Sequence, residues 1–170
     1  MTGLGPVVGE ALVRHPEVDA ISFTGSTRAG KRISELAAQT VKRVTLELGG
    51  KSASVILDDA DLATAVKGTV GNCYLNSGQT CTAFTRMLVP EAKYEEAKTL
   101  AAEAAKAYAP GDPRSETTRL GPPSAAAQLE RVRATIRQAQ DAGPERLRGG
   151  AERPEGAGEG RSTRPEDSGL

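Results

Sequence analysis

Three short stretches hold the side chains whose types and spacing could do chemistry. Asn76-Ser77-Gly78-Gln79-Thr80-Cys81-Thr82 puts a cysteine in a polar, glycine-kinked segment. Structural cysteines usually sit in apolar elements, whereas a thiol in such a loop is placed where a thiolate can meet a substrate. Cys73, eight residues earlier, falls on an apolar helical stretch and reads as core filler. Leu46-Glu47-Leu48-Gly49-Gly50-Lys51 sets a carboxylate between two leucines at the end of a β-rich run. Desolvation there would raise its pKa toward the range of a general base; the plainer reading is a solvated glutamate at a strand terminus. Phe23-Thr24-Gly25-Ser26-Thr27-Arg28-Ala29-Gly30-Lys31 is a glycine turn leading into a helical stretch. Unsatisfied amides and the positive end of the helix dipole would receive a phosphate there. The plainer reading is a strand-to-helix turn with no ligand.

Other chemistries fit less well. Gly25 to Lys31 matches the start of a P-loop, G-x-x-x-x-G-K, but Arg32 stands where the Mg²⁺-binding Ser or Thr belongs. Gly3, Gly5 and Gly9 fall one residue off the dinucleotide fingerprint, with no strand before them. The single histidine, His15, rules out sites built from two or three imidazoles, and C-x₇-C is not a zinc spacing, so no metal site is expected. His15 adjoins Pro16 in a helix–strand connection and makes a poor partner for Cys81. A thiol without a well-placed histidine suggests chemistry whose water is activated by a carboxylate such as Glu47.

Composition narrows the class further. The 170 residues carry 22 Lys+Arg against 22 Asp+Glu, which gives no electrostatic reason to expect nucleic acid or an anionic membrane as partner. No apolar run approaches the ~18–20 residues of a membrane span. The opening MTGLGPVVGEALV lacks a basic region and a cleavage site, so it does not read as a secretion signal. Two cysteines cannot build a disulfide framework, and a reducing cytoplasm is the expected setting. Three Tyr and two Phe leave the core to Val, Ile, Leu and Ala.

The elements that must position these groups alternate between two periodicities. Helical spacing runs from Pro6 to Arg14, Thr27 to Gln39, Leu62 to about Asn72, Glu91 to about Tyr108, and Ser124 to about Ala142. Strands are expected at Val18–Phe23, Val41–Leu48, Ser52–Leu57 and Phe84–Val89. Strands separated by helices predict an α/β fold with parallel, Rossmann-like strands and crossover helices. From Gly143 to Leu170, ten of 28 residues are Gly or Pro and four are apolar, so this tail is expected to be disordered. The abrupt start, a glycine-rich turn and helix without a preceding strand, reads as a piece of a larger α/β protein.

Taken together, the three stretches resemble the NAD(P)-dependent aldehyde dehydrogenase superfamily. FTGSTRAGK looks like its cofactor loop, LELGGKSA like its glutamate signature and YLNSGQTCTAFTR like its cysteine signature. They stand in the family's order, with Glu47 and Cys81 34 residues apart. The flanks TGLGPVVGEALVRHPEVDAISFTGS, RLGP and AAQLERVRATI also match. The resemblance implies that Cys81 attacks an aldehyde carbonyl to give a thiohemiacetal and then, after hydride transfer, a thioester. Glu47 would activate the hydrolytic water. Gly25, Ser26, Thr27 and Gly30 would receive the pyrophosphate of NAD or NADP, Leu48 would lie beside the nicotinamide, and the Cys81 N–H would be half of an oxyanion hole.

The implied organisation is the C-terminal part of a cofactor domain over residues 1–48, a partial catalytic domain over 49–142, and the tail over 143–170. The likeness covers a central part of a subunit and thins after Gly143. Expected partners are a small-molecule aldehyde and homologous subunits. A truncated, poorly active dehydrogenase is the expectation, and a non-catalytic remnant that is degraded or associates with full-length homologues is the alternative.

Overall fold

The computed structural model describes residues 2–123 and 125–152. The chain divides after Gly50 into two compact units. In the first, helix α1 (Gly5–Arg14) precedes strand β1 (Ala20–Gly25), helix α2 (Thr27–Ala38) and strand β2 (Arg43–Leu48). Pro6 opens α1, where its missing N–H costs nothing, and extended backbone at His15 before Pro16 closes it. β1 and β2 pair in parallel, from Ala20 opposite Arg43 to Gly25 opposite Leu48, and α2 is the crossover that a parallel pair requires. Val13, Leu36 and Ala37 form the buried centre, with Ile21, Ile33 and Val44 packed against it. Both strands alternate between partly buried and exposed residues, so their apolar side faces the helices and their polar side does not.

The second unit repeats the motif. Strand β3 (Ser52–Val55) leads through helix α3 (Leu62–Tyr74) to strand β4 (Phe84–Leu88), and helix α4 (Tyr94–Ala104) follows. β3 and β4 are parallel, with a register irregularity between Ser52 and Ala53. Ile56, Leu62, Val66, Val70 and Ala97 make the core. Thr69, a buried polar residue, is satisfied by its hydrogen bonds to the Ala65 carbonyl (2.8 Å) and the Ser54 hydroxyl (2.7 Å). Tyr74 stacks on Tyr108 at 5.2 Å between centroids. Helix α5 (Ala126–Asp141) carries no fully buried residue.

The mixed α/β architecture with parallel strands and crossover helices is the one expected; the boundaries differ for local reasons. β1 starts at Ala20 rather than Val18 because a turn closes from the Val18 N–H to the His15 carbonyl. β2 starts at Arg43 rather than Val41 because Val41 has φ 54° in a turn after α2. The stretch 91–108 is an α-helix only over Tyr94–Ala104, flanked by 3₁₀ turns. Of the expected disordered tail, residues 153–170 lie outside the described residues, as does Ser124. Residues 143–152 hold no helix or strand, and Glu145 is ion-paired to Lys98 at 2.9 Å.

Candidate active site

Cys81 sits where α3 hands over to β4. After Tyr74 the chain makes a tight 3₁₀ turn in which Asn76 (φ 51°), Ser77 (φ 57°) and Gly78 (φ 73°) are all left-handed. Glycine takes that conformation at no steric cost, whereas Asn and Ser store strain there, and strained backbone clusters at functional sites. The turn is held by its own amides: the Gln79 N–H donates to the Asn76 carbonyl at 3.1 Å. The Asn76 Nδ2 and Gln79 Nε2 amides reach each other's carbonyls at 3.4 Å. Ser77 Oγ donates to the Gly121 carbonyl at 3.3 Å.

Cys81 itself occupies the first corner of a β-turn closed by the Ala83 N–H on the Thr80 carbonyl at 3.2 Å, and Ala83 is buried. The thiol is exposed and free. Its backbone N–H donates to no group among the described residues. Cys73, also free, is half-buried on the last turn of α3, and burial pushes its thiol pKa up. Cys73 was expected to fill the core, but it belongs to neither buried cluster and is only partly withdrawn from solvent, whereas Cys81 lies in an exposed loop.

The remaining site residues belong to the first unit. Glu47 pairs with Thr24 across the two strands and is exposed on the face away from α2. Leu46 and Leu48 point the other way, toward Gly30 of α2. Strand alternation thus puts the leucines and the carboxylate on opposite faces, so the apolar neighbours do not desolvate Glu47.

Ser26 caps α2, its Oγ accepting the Ala29 N–H at 3.2 Å, and the Gly30 N–H bonds the Ser26 carbonyl at 2.9 Å. Thr27 and Arg28, the first two helical residues, keep N–H groups with no intrahelical acceptor, and both residues are exposed. A Cβ on Gly30 would lie 2.7 Å from Leu48 Cδ2, so the absence of a side chain lets the first turn of α2 settle against β2. A Cβ on Gly25 would meet the Phe23 ring at 2.5 Å. This exposed helix start, with two open donors and a close-packed glycine beneath, fits the pyrophosphate of a dinucleotide.

The structure brings together Gly25, Ser26, Thr27, Gly30 and Leu48, with Glu47 on the same strand pair. Two lesser candidates have local partners. Arg32 binds Glu10 through two hydrogen bonds of 2.8 and 3.0 Å and so ties α2 to α1. His15 is exposed, with Nδ1 accepting the Glu17 N–H at 3.3 Å. Among the described residues, no group of three or more His, Cys, Asp or Glu could hold a metal ion, and no helix is long and apolar enough to cross a membrane. Asn72 went unmarked in the sequence and Thr80 was quoted there without a role, yet their side chains tether the Cys81 turn to the end of α3. Their partners are backbone groups, which leave no pattern in a sequence.

The model for the aldehyde dehydrogenase family matches residues 1–166. The match therefore runs well past Gly143, where the resemblance was expected to thin. A 3-succinoylsemialdehyde-pyridine dehydrogenase of Pseudomonas sp is 51% identical over 165 residues, which are 97% of this chain and 35% of that protein. Among solved structures, aldehyde dehydrogenase C of Pseudomonas syringae, a Cys-to-Ala variant complexed with NAD+ and octanal, superposes with a TM-score of 0.88 at 46% identity. That superposition covers 92% of this chain and 32% of the other. An aldehyde dehydrogenase of Bartonella henselae gives a TM-score of 0.87 at 42% identity, over 92% and 33% of the two chains. The chain spans about a third of the length of the relatives it matches.

Proposed function

The chain belongs to the aldehyde dehydrogenase family, and on that premise we propose that it carries the thiol, the carboxylate and part of the cofactor cradle for NAD(P)-dependent oxidation of a small aldehyde to its acid. Support for the substrate class comes from the semialdehyde in the name of the Pseudomonas sp relative and the octanal held by the Pseudomonas syringae structure. The comparisons do not favour a non-catalytic remnant.

Cys81 is the nucleophile. Its thiolate adds to the carbonyl carbon, a C–S bond forms, and the carbonyl electron pair moves onto oxygen. The Cys81 N–H donates to that oxygen. A cysteine suits the step because its thiolate adds readily and leaves an intermediate that can still be oxidised, whereas a hydroxyl would need stronger activation. Bound NAD(P)+ supplies the hydride acceptor for that oxidation. The product on Cys81 is a thioester. Glu47 takes a proton from water, whose oxygen attacks the thioester carbon; the C–S bond breaks, the acid leaves and the thiolate returns. An exposed carboxylate is accessible to that water. Gly25, Ser26, Thr27 and Gly30 would hold the pyrophosphate at the start of α2, and Leu48 would lie beside the nicotinamide. A reducing cytoplasm keeps the thiol available.

The observation that carries this reading is the exposed Cys81 thiol at the corner of a strained loop. Limiting iodoacetamide at neutral pH is expected to alkylate Cys81 first, read by peptide mapping. Cys73, its thiolate disfavoured by burial, gains label only as the pH rises above the ordinary thiol range. With an aldehyde and NAD+, this chain, about a third of its relatives' length, is expected to form little NADH, and Cys81→Ala none. An acyl group placed on Cys81 by an activated ester is expected to persist longer in Glu47→Gln than in the parent chain, read by intact mass. Equal labelling of the two cysteines, or labelling only after denaturation, overturns the proposal.

A further inference from the structure

Asn72 lies on the final turn of α3 and its side chain reaches across the neck of the segment that carries Cys81. Its Oδ1 accepts the Phe84 N–H at 2.8 Å; because the donor is a backbone amide, the contacting atom must be the oxygen. Ser52 pairs with Phe84 but Ala53 pairs with Arg86, so Thr85 is an extra residue at the start of β4. Such bulges disrupt the ladder locally and re-aim the chain next to functional sites. The other side of the loop has its own tether to the same helix end, Thr80 Oγ1 donating to the Leu75 carbonyl at 3.2 Å. Between the two tethers lies the Thr80–Ala83 turn with Cys81 at its corner.

We propose that Asn72 is a positioning residue for Cys81: by holding the β4 side of the turn it keeps the Cys81 N–H aimed at the carbonyl oxygen under attack. This rests on Cys81 being the nucleophile. Asn72 lies outside the cysteine signature and touches no reacting atom. Its removal leaves the Phe84 N–H at the edge of a residue 37% exposed, where water can replace the lost acceptor, so the fold survives while the turn loosens.

Two reactions of the same sulfur separate positioning from stability. In alkylation by iodoacetamide the thiolate displaces iodide, and no oxyanion forms. In acylation by p-nitrophenyl acetate an S–C bond forms, the C–O bond to the aryl group breaks, and p-nitrophenolate leaves with its electron pair. No oxidant is required, and the tetrahedral oxyanion needs the Cys81 N–H. Asn72→Ala is expected to slow acylation of Cys81 about tenfold or more, while alkylation stays within about twofold. Asn72→Asp keeps the acceptor and is expected to restore acylation. Unchanged acylation in Asn72→Ala, an equal fall in both reactions, or no rescue by Asp overturns the inference. A wild-type chain alkylated but not acylated at Cys81 shows instead that the nucleophile reading has failed, and this inference with it.

Discussion

Val41 closes the turn between α2 and β2 with φ 54°, and its side chain is 89% exposed. A β-branched residue in left-handed backbone costs roughly 1–2 kcal/mol, and here no packing repays it. Val41→Gly is therefore expected to stabilise the chain by about 1 kcal/mol, less whatever entropy glycine adds to the unfolded state, measured by denaturant titration. A fall in stability would show that the valine is held by contacts its exposure does not reveal. Asn76 and Ser77 share the same backbone region, but they precede a free, exposed thiol, and their strain buys the loop its shape. The sequence marks the kink through Gly78. It does not mark that two non-glycine residues join it, because Asn and Ser occur in ordinary turns as readily as in strained ones.

At the scale of elements, side-chain caps fix the starts of two helices, α2 at Ser26 and α3 at Asp61. The acidic run before Leu62 signals a helix start, and Asp61 does cap α3, accepting the Thr64 N–H at 2.7 Å. The Thr64 hydroxyl, and then its backbone N–H, hold the Asp61 carboxyl below the usual aspartate value. A lowered native pKa means that the cap contributes fully above the unfolded value, and that its contribution is lost as pH falls through the native one. Thermal melts taken downward from about pH 4 should therefore decline less steeply in Asp61→Asn than in the parent chain. Equal slopes would show that the cap is not linked to protonation. Strand ends were harder to read. Val18 and Val41 have the right side chains for β structure, yet the turns that follow α1 and α2 claim them first.

Across the whole molecule, zero formal net charge meets exposed apolar residues. Val55, Leu57 and Leu88, on and beside the second strand pair, are 62%, 63% and 50% exposed. Apolar patches without net repulsion favour association. Light scattering of concentrated protein is expected to be greatest near neutral pH, and to drop in the double variant Val55→Lys, Leu88→Lys, which adds like charges beside each other on paired strands. Scattering that is unchanged in the variant would locate the association elsewhere.

Residue type and spacing by themselves determined the alternation of helices and strands, the parallel α/β class and the three stretches that resemble the family's motifs. Each is written in local periodicity, in turn residues, or in contiguous motifs. Tertiary structure decided which way side chains face. It turned Leu46 and Leu48 toward α2 and Glu47 to the open side, a choice that strand alternation leaves two-valued until a helix covers one face. It also fixed the tethers of Asn72 and Thr80 on backbone atoms of Phe84 and Leu75, contacts that exist only once the loop has closed.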